Sequence, residues 1–181
     1  MKSTAVSVIL VDKEDNELGF MEKMEAHQKG LLHRAFSVFI FNSKGELLLQ
    51  QRADAKYHSA GLWTNTCCSH PVPGENVPEA ASRRLMEEMG ITAKLIPVFQ
   101  FLYETKFENG LIEHEFDHVL FGISNEHPNI NVFEVQNWKY INMETLAIEL
   151  ETKPQNYTAW LKLCFVSVNK YIRENQFQYI V

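Results

Sequence analysis

Two stretches decide how this chain reads: Thr64-Asn65-Thr66-Cys67-Cys68-Ser69-His70-Pro71 and, a loop later, Arg83-Arg84-Leu85-Met86-Glu87-Glu88-Met89-Gly90. Between them, Asn76-Val77-Pro78-Glu79 carries the marks of a helix start. Asn76 suits the N-cap, Pro78 the first turn, and Glu79 the acidic place of a capping box. Ala81, Leu85 and Met89 recur at i, i+4 and i+8, which makes a stripe for burial, and Gly90 ends the helix. Arg83/Glu87 and Arg84/Glu88 are i,i+4 pairs on that helix. A thiol and an imidazole therefore stand just ahead of a helix bearing paired carboxylates and paired arginines. Thiol, imidazole and carboxylate move protons or hold divalent metals, and arginine binds anions.

Working outward, residues 5–11 read as a first strand that ends at the polar turn 12–16. Residues 35–41 and 46–51 are β-prone runs joined by Asn42-Ser43-Lys44-Gly45, a hairpin signal. A long loop is expected from there through Tyr57, Gly61 and residues 63–71. Strands over 99–107 and 111–121 flank Asn109-Gly110, the strongest short hairpin signal in the chain. A strand over 137–141, a short helix over 143–150 and an amphipathic helix over 157–172 complete the pattern. Intermixed strands and helices with hairpins predict an α/β protein whose mixed sheet is covered by helices. No repeat, low-complexity tract or linker interrupts residues 1–181, so a single domain is expected.

The 181 residues are 45% hydrophobic and 22% charged, as in ordinary soluble globular proteins. Residues 1–6 are too short an apolar run for a signal peptide, and no stretch approaches a membrane span. A cytoplasmic location without membrane attachment is the expectation. A formal charge of −6 gives no general attraction to nucleic acid. An anionic ligand needs local basic residues instead, and Lys23, Arg52, Lys56, Arg83 and Arg84 lie nearest the informative segments. Cys67, Cys68 and Cys164 form no disulfide framework, and two of them are adjacent.

Glu113 and Glu115 fall two apart in an expected strand and so share a face, with His114 on the other. Two readings stand: the pair shares a cation or a proton, or it is a solvated strand face. His27, His33 and His70 are either surface residues or, with the two glutamates, a mixed nitrogen and oxygen ligand set suited to Zn²⁺, Mn²⁺ or Fe²⁺. His58, His114, His118 and His127 have no assignment. Cys68 is a candidate nucleophile or proton-transfer thiol, or else a buried structural cysteine, with Cys67 facing the opposite way.

The helix segment resembles a Nudix box, G-x5-E-x7-R-E-U-x-E-E-x-G-U with U apolar, through Glu75, Arg83, Leu85, Glu87, Glu88, Gly90 and Ile91. Ser69 replaces the first glycine and Arg84 the glutamate after the arginine. An arginine there repels a metal and attracts substrate, which argues against diphosphate hydrolysis. From about Leu18 to Trp160 the chain is similar to type 1 isopentenyl-diphosphate Δ-isomerases. The likeness runs through Glu22-Lys23 with His27, Leu32-His33 with Ala35-Phe36-Ser37, Trp63-Thr64-Asn65 with Cys68 and His70-Pro71, and Glu113-His114-Glu115. The spacing of His27 and His33 is one residue shorter than in bacterial members.

That resemblance implies a Nudix-like α/β/α sandwich with a mixed, largely antiparallel sheet. It implies that His27, His33, His70, Glu113 and Glu115 ligate one divalent metal (Mn²⁺, Zn²⁺ or Mg²⁺). Glu88 and the main-chain carbonyl of Cys68 would help hold Mg²⁺ on a diphosphate, with Lys23, Arg52, Lys56 and Arg84 on the phosphates. Glu115, assisted by Tyr103, would protonate an alkene, the Cys68 thiolate would remove a proton, and Trp160 would face the intermediate cation or pack in the core. The implied partner is a small prenyl diphosphate, with the protein a monomer or weak homodimer. A Nudix pyrophosphohydrolase and a non-catalytic metal or diphosphate binder are the competing classes, and neither uses the thiol.

Overall fold

The computed structural model describes residues 6–175. Its elements are β1 (Ser7–Val11), β2 (Glu17–Glu22), α1 (Lys23–Lys29), β3 (His33–Phe41), β4 (Leu47–Arg52), β5 (Trp63–Thr64), β6 (Cys67–Ser69), α2 (Val77–Met89), β7 (Ile96–Lys106), β8 (Ile112–Ile123), β9 (Val135–Ile141), α3 (Met143–Thr152) and α4 (Ala159–Glu174). Residue 5, where the first strand was expected to begin, lies outside the described residues.

Side-chain alternation sorts the central strands into two faces. Phe36, Val38, Ile40, Leu48 and Leu120 pack with Ala80, Ala81, Leu85 and Met89 of α2 on one side. Phe39, Phe41, Leu47, Leu49, Val119 and Phe121 pack with Leu146 of α3 and Leu161, Cys164, Phe165 and Val168 of α4 on the other. Helices on both faces of one sheet make an α/β/α sandwich. Every strand pairing is antiparallel except β3 with β8, which run parallel with His33 opposite Glu115. The expected mixed, largely antiparallel sheet is the one found.

Strands β3 and β4 pair only at their turn, Phe41 with Leu47, and then diverge. The chain re-enters the opening: Trp63 and Thr64 pair with β4, and Cys67–Ser69 pair with β3. Thr66 stitches the two sides, its hydroxyl donating to Leu48 O at 2.6 Å and accepting from Ile40 N at 2.9 Å. Part of the loop expected after residue 52 is therefore two short strands, fixed by tertiary hydrogen bonds that no local pattern announces. β2 and α1 were not expected either. β2 exposes Leu18 and Phe20 and so lacks the alternation of a half-buried strand, while α1 spans only seven residues.

Helix α2 follows its sequence signals closely. Asn76 Oδ1 accepts from Glu79 N at 2.9 Å, and Gly90 closes the helix in the left-handed region at φ 65°. A Cβ at Gly90 would lie 2.4 Å from Asn129 O. Gly90→Ala is therefore expected to cost more than the ~1–2 kcal/mol of left-handed strain alone, measured as a lower urea midpoint.

Candidate active site

The polar ends of β3 and β8 continue the face that holds α4. Along β8, Glu113, Glu115, Asp117, Val119 and Phe121 all point to that side, polar first and apolar after. Parallel pairing sets His33 beside Glu115. α1 delivers His27, and the end of β6 delivers His70. Ligand atoms of His27, His33, His70 and Glu115 all lie within 4.8 Å of one another, and all four residues are buried. Glu113, the fifth expected ligand, falls in an adjoining group with His27 and His58. Its Oε1 lies 3.1 Å from His58 Nε2.

Ring chemistry suits these residues to a metal. His27 Nδ1–H donates to Lys23 O at 2.7 Å and His33 Nδ1–H to Leu31 O at 2.8 Å. Each donation fixes the tautomer and leaves Nε2 as a lone pair. Both Nε2 atoms are buried with no hydrogen-bond partner among the described residues. His33 Nε2 is 3.6 Å from Glu115 Oε1, beyond hydrogen-bond reach, while His70 Nε2 is 2.9 Å from the same oxygen. Two buried imidazole lone pairs aimed at a carboxylate are a donor set that fits a divalent cation.

The pocket above this cluster is lined by Lys23, Arg52, Lys56, Cys68, His70, Arg84, Glu88, Tyr103, Glu113, Glu115 and Trp160. Of the expected site residues, only His27 and His33 lie behind its wall, in the cluster. Cys68 and Glu115 sit on β6 and β8, which flank β3 on its two edges. Cys67, fully buried, turns away against α2. Ser69, in the place of a glycine, pairs with Phe36 and does not have a positive φ, so the replacement introduces no strain there.

Tyr103 Oη lies 2.6 Å from Glu115 Oε2 and 3.2 Å from Glu113 Oε2. Burial, then the charge of Glu115, pushes the Glu113 carboxyl well up. Burial works to raise Glu115 too, yet donation from His70 and the nearness of His33 hold it well below the usual carboxylate range. Burial pushes the Cys68 thiol up to about 12 against the opposing pull of Arg52.

Arg84 reaches Glu88 at 2.5 Å, Glu87 at 2.8 Å and Glu134 at 3.3 Å, and Lys56 also pairs with Glu134. Gln50 donates to Glu88 at 2.9 Å. Arg52 stacks on the Trp160 ring, 5.2 Å from its centroid, and donates to His58 O. The Nε atoms of Arg52 and Arg84 are buried without a partner among the described residues. Arg83, by contrast, is turned to Glu75 and Glu87 and is not among the residues lining the pocket.

Ser37, Tyr57, His58 and Ser69 line the pocket without having been expected there. His58 stacks on Phe107 at 4.5 Å and meets Glu113. In a chain with seven histidines, nothing in the spacing singles it out.

A family model described as NUDIX domain matches residues 31–161. Isopentenyl-diphosphate Delta-isomerase 2 of Aromatoleum aromaticum is 53% identical over 157 residues, 87% of this chain and 83% of that protein. Isopentenyl-diphosphate Delta-isomerase of Pectobacterium atrosepticum is 51% identical over 164 residues, 91% of this chain and 92% of that protein. The crystal structure of DR0079 from Deinococcus radiodurans superposes with a TM-score of 0.74 over 89% of this chain and 98% of that one. At 18% identity, it is a likeness of fold. The chain belongs to the isopentenyl-diphosphate Δ-isomerase family of NUDIX-domain proteins. Among the described residues no helix is long and apolar enough to cross a membrane.

Burial is the largest cause that lowers His27 to about 4 and His58 and His70 to about 3, from 6.5. The folded protein keeps these rings neutral where the unfolded chain takes up protons. Their stabilisation is therefore complete above about pH 6.5 and is lost as pH falls toward the folded values. The melting temperature of metal-free protein is expected to drop steadily from about pH 7 to pH 4, and a flat profile would contradict neutral buried rings.

Proposed function

We propose that the protein interconverts isopentenyl diphosphate and dimethylallyl diphosphate by protonating an alkene and deprotonating the resulting tertiary cation. The observation that carries the mechanism is one pocket holding a thiol, a carboxyl with its tyrosine, and two arginines with unpartnered Nε–H groups. An unactivated alkene is a weak base, so both proton-transfer groups must be fixed against it. Arg52, Arg84, Lys56 and Lys23 are the cations we assign to the diphosphate, arginine by forked donation and lysine as point charge.

Cys68 and Glu115 are the proton-transfer pair. Turnover begins with a proton on one and ends with it on the other, and the pair resets by exchange. Burial favours the protonated Cys68 sulfur and hydrogen bonding favours the ionised Glu115, which is one end of that exchange. The assignment expected from resemblance, with Glu115 donating and Cys68 accepting, is the other end of the same exchange. Tyr103, whose proton burial holds in place, steadies Glu115 Oε2 in either state. Trp160 supplies an aromatic wall whose face tolerates a cation, as its stacking with Arg52 illustrates. The pocket must also exclude water, which would capture the cation.

His27, His33, His70 and Glu115, with Glu113 turned in from His58, are the residues we assign to one divalent metal. That ion would orient the carboxylates and offset their charge; the mixed imidazole and carboxylate set suits Zn²⁺ or Mn²⁺ better than Mg²⁺. Glu88 and the Cys68 carbonyl are assigned to a Mg²⁺ that accompanies the diphosphate.

Incubation with isopentenyl diphosphate in heavy water tests the reading. Dimethylallyl diphosphate with deuterium in its carbon skeleton is expected; release of phosphate alone would assign a hydrolase, and neither product a binder. Cys68→Ala is expected to lower kcat by at least ~10²–10⁴-fold while inorganic diphosphate still binds. Arg84→Ala is expected to weaken diphosphate binding by ~10–100-fold, read by calorimetry. Stripping divalent metal should abolish isomerisation and re-adding it restore it.

A further inference from the structure

Thr64-Asn65-Thr66 was singled out by the sequence, yet the proposed chemistry uses none of it. Asn65 is fully buried in the opening between β3 and β4. Its Nδ2 donates to Cys67 O at 2.9 Å and to Val38 O at 3.2 Å. Its Oδ1 accepts from Thr64 Oγ1 at 2.9 Å and from Trp160 Nε1 at 3.2 Å. A carboxamide offers two N–H donors and two acceptor lone pairs, so all four valences are used. The flipped amide would face two carbonyls with an oxygen and two donors with an NH₂, which fixes its orientation.

One side of this amide grips the peptide immediately before Cys68. The other grips the indole of Trp160. Both Cys68 and Trp160 line the pocket, although 92 residues separate them in the chain. The same segment latches the start of α4 twice more, through Thr158 N to Trp63 O at 3.0 Å and Thr158 Oγ1 to Thr64 Oγ1 at 3.0 Å.

We propose that Asn65 is a positioning residue that sets the Cys68 sulfur and the Trp160 ring in one frame. This rests on the isomerase reading. Asn65 does not line the pocket, so its effect falls on alignment and not on substrate affinity. Proton transfer to carbon depends steeply on placement, whereas binding of inorganic diphosphate without Mg²⁺ rests on Lys23, Arg52, Lys56 and Arg84, none of which hydrogen-bonds Asn65.

Asn65→Asp keeps the acceptors toward Thr64 and Trp160 but replaces the NH₂ that faces Cys67 O and Val38 O. Thr64→Val removes one donor to Asn65 Oδ1, together with the acceptor for Thr158 Oγ1, and is the milder change at Asn65. With substrate and metal present, Asn65→Asp is expected to lower kcat by ~100-fold or more while KM and the Kd for inorganic diphosphate stay within ~3-fold. Thr64→Val is expected to lower kcat by ~3–10-fold with KM unchanged. In protein labelled with ¹⁵N-tryptophan, the indole N–H resonance of Trp160 should move in both variants, with Trp138 as the fixed reference.

Wild-type turnover tests the isomerase reading itself, and a silent wild type would sink both. Given wild-type turnover, an Asn65→Asp enzyme with unchanged kcat, or with the loss confined to KM, overturns the role of Asn65 alone. Should Asn65→Asp not fold, Thr64→Val decides: an unchanged kcat and an unmoved Trp160 resonance refute the proposal.

Discussion

The parallel pairing of β3 with β8 is the constraint on which the site and the core both depend. Its register places His33 opposite Glu115 and, further along the same ladder, Phe39 opposite Phe121. A slip of one residue would turn Glu113 and Glu115 outward and carry Val119 and Phe121 out of the core with them. Burial of that apolar half therefore fixes the polar half. The histidines gain their orientation from backbone carbonyls at Lys23 and Leu31, in segments that adjoin the same strand. Backbone hydrogen bonds and strand pairing therefore orient His27, His33 and Glu115 toward one another.

The second organising feature is how positive charge is kept available inside an acidic protein. Each cation of the pocket is partnered, but not fully. Arg84 spends its terminal nitrogens on Glu87, Glu88 and Glu134 and keeps Nε free; Arg52 spends one on a carbonyl and also keeps Nε free. A buried guanidinium without any acceptor would be costly, and one wholly satisfied would have nothing left for a ligand. Arg83, one residue away, shows the alternative: turned to Glu75 through two 2.7 Å contacts, it holds the loop before α2 to the helix. Neighbouring arginines thus serve separate ends because the helix turns them about 100° apart.

Helix α2 was legible because its signals are local. A cap at Asn76, a stripe at Ala81, Leu85 and Met89, and a stop at Gly90 act within one segment, as do the two hairpin turns. The pair Glu113 and Glu115 was legible as sharing a face, because strand periodicity is also local. Its division of labour was not: Glu115 turns to His33 and His70, and Glu113 to His58, according to strands and loops far away in sequence. β5 and β6 escaped for the same reason. Segments of two and three residues have no periodicity to read, and Thr66 becomes structural only because Leu48 and Ile40 are there to meet it.

Arg84 is where scaffold and chemistry meet. The Nudix pattern that this chain resembles has a carboxylate at that position, one helical turn before Glu88. A glutamate there would add another acid to a pocket that already holds Glu88, Glu113 and Glu115, with Glu134 close by, and further cations would be needed to relieve the repulsion. Arginine instead pairs with Glu88 and Glu134 from within the protein and keeps its Nε–H without a partner among the described residues. In the proposed function this helix contributes Arg84 to the diphosphate and Glu88 to the Mg²⁺ that accompanies it, where the Nudix pattern would place a further carboxylate. In the proposed function the chemistry falls to Cys68 and Glu115, which line the same pocket.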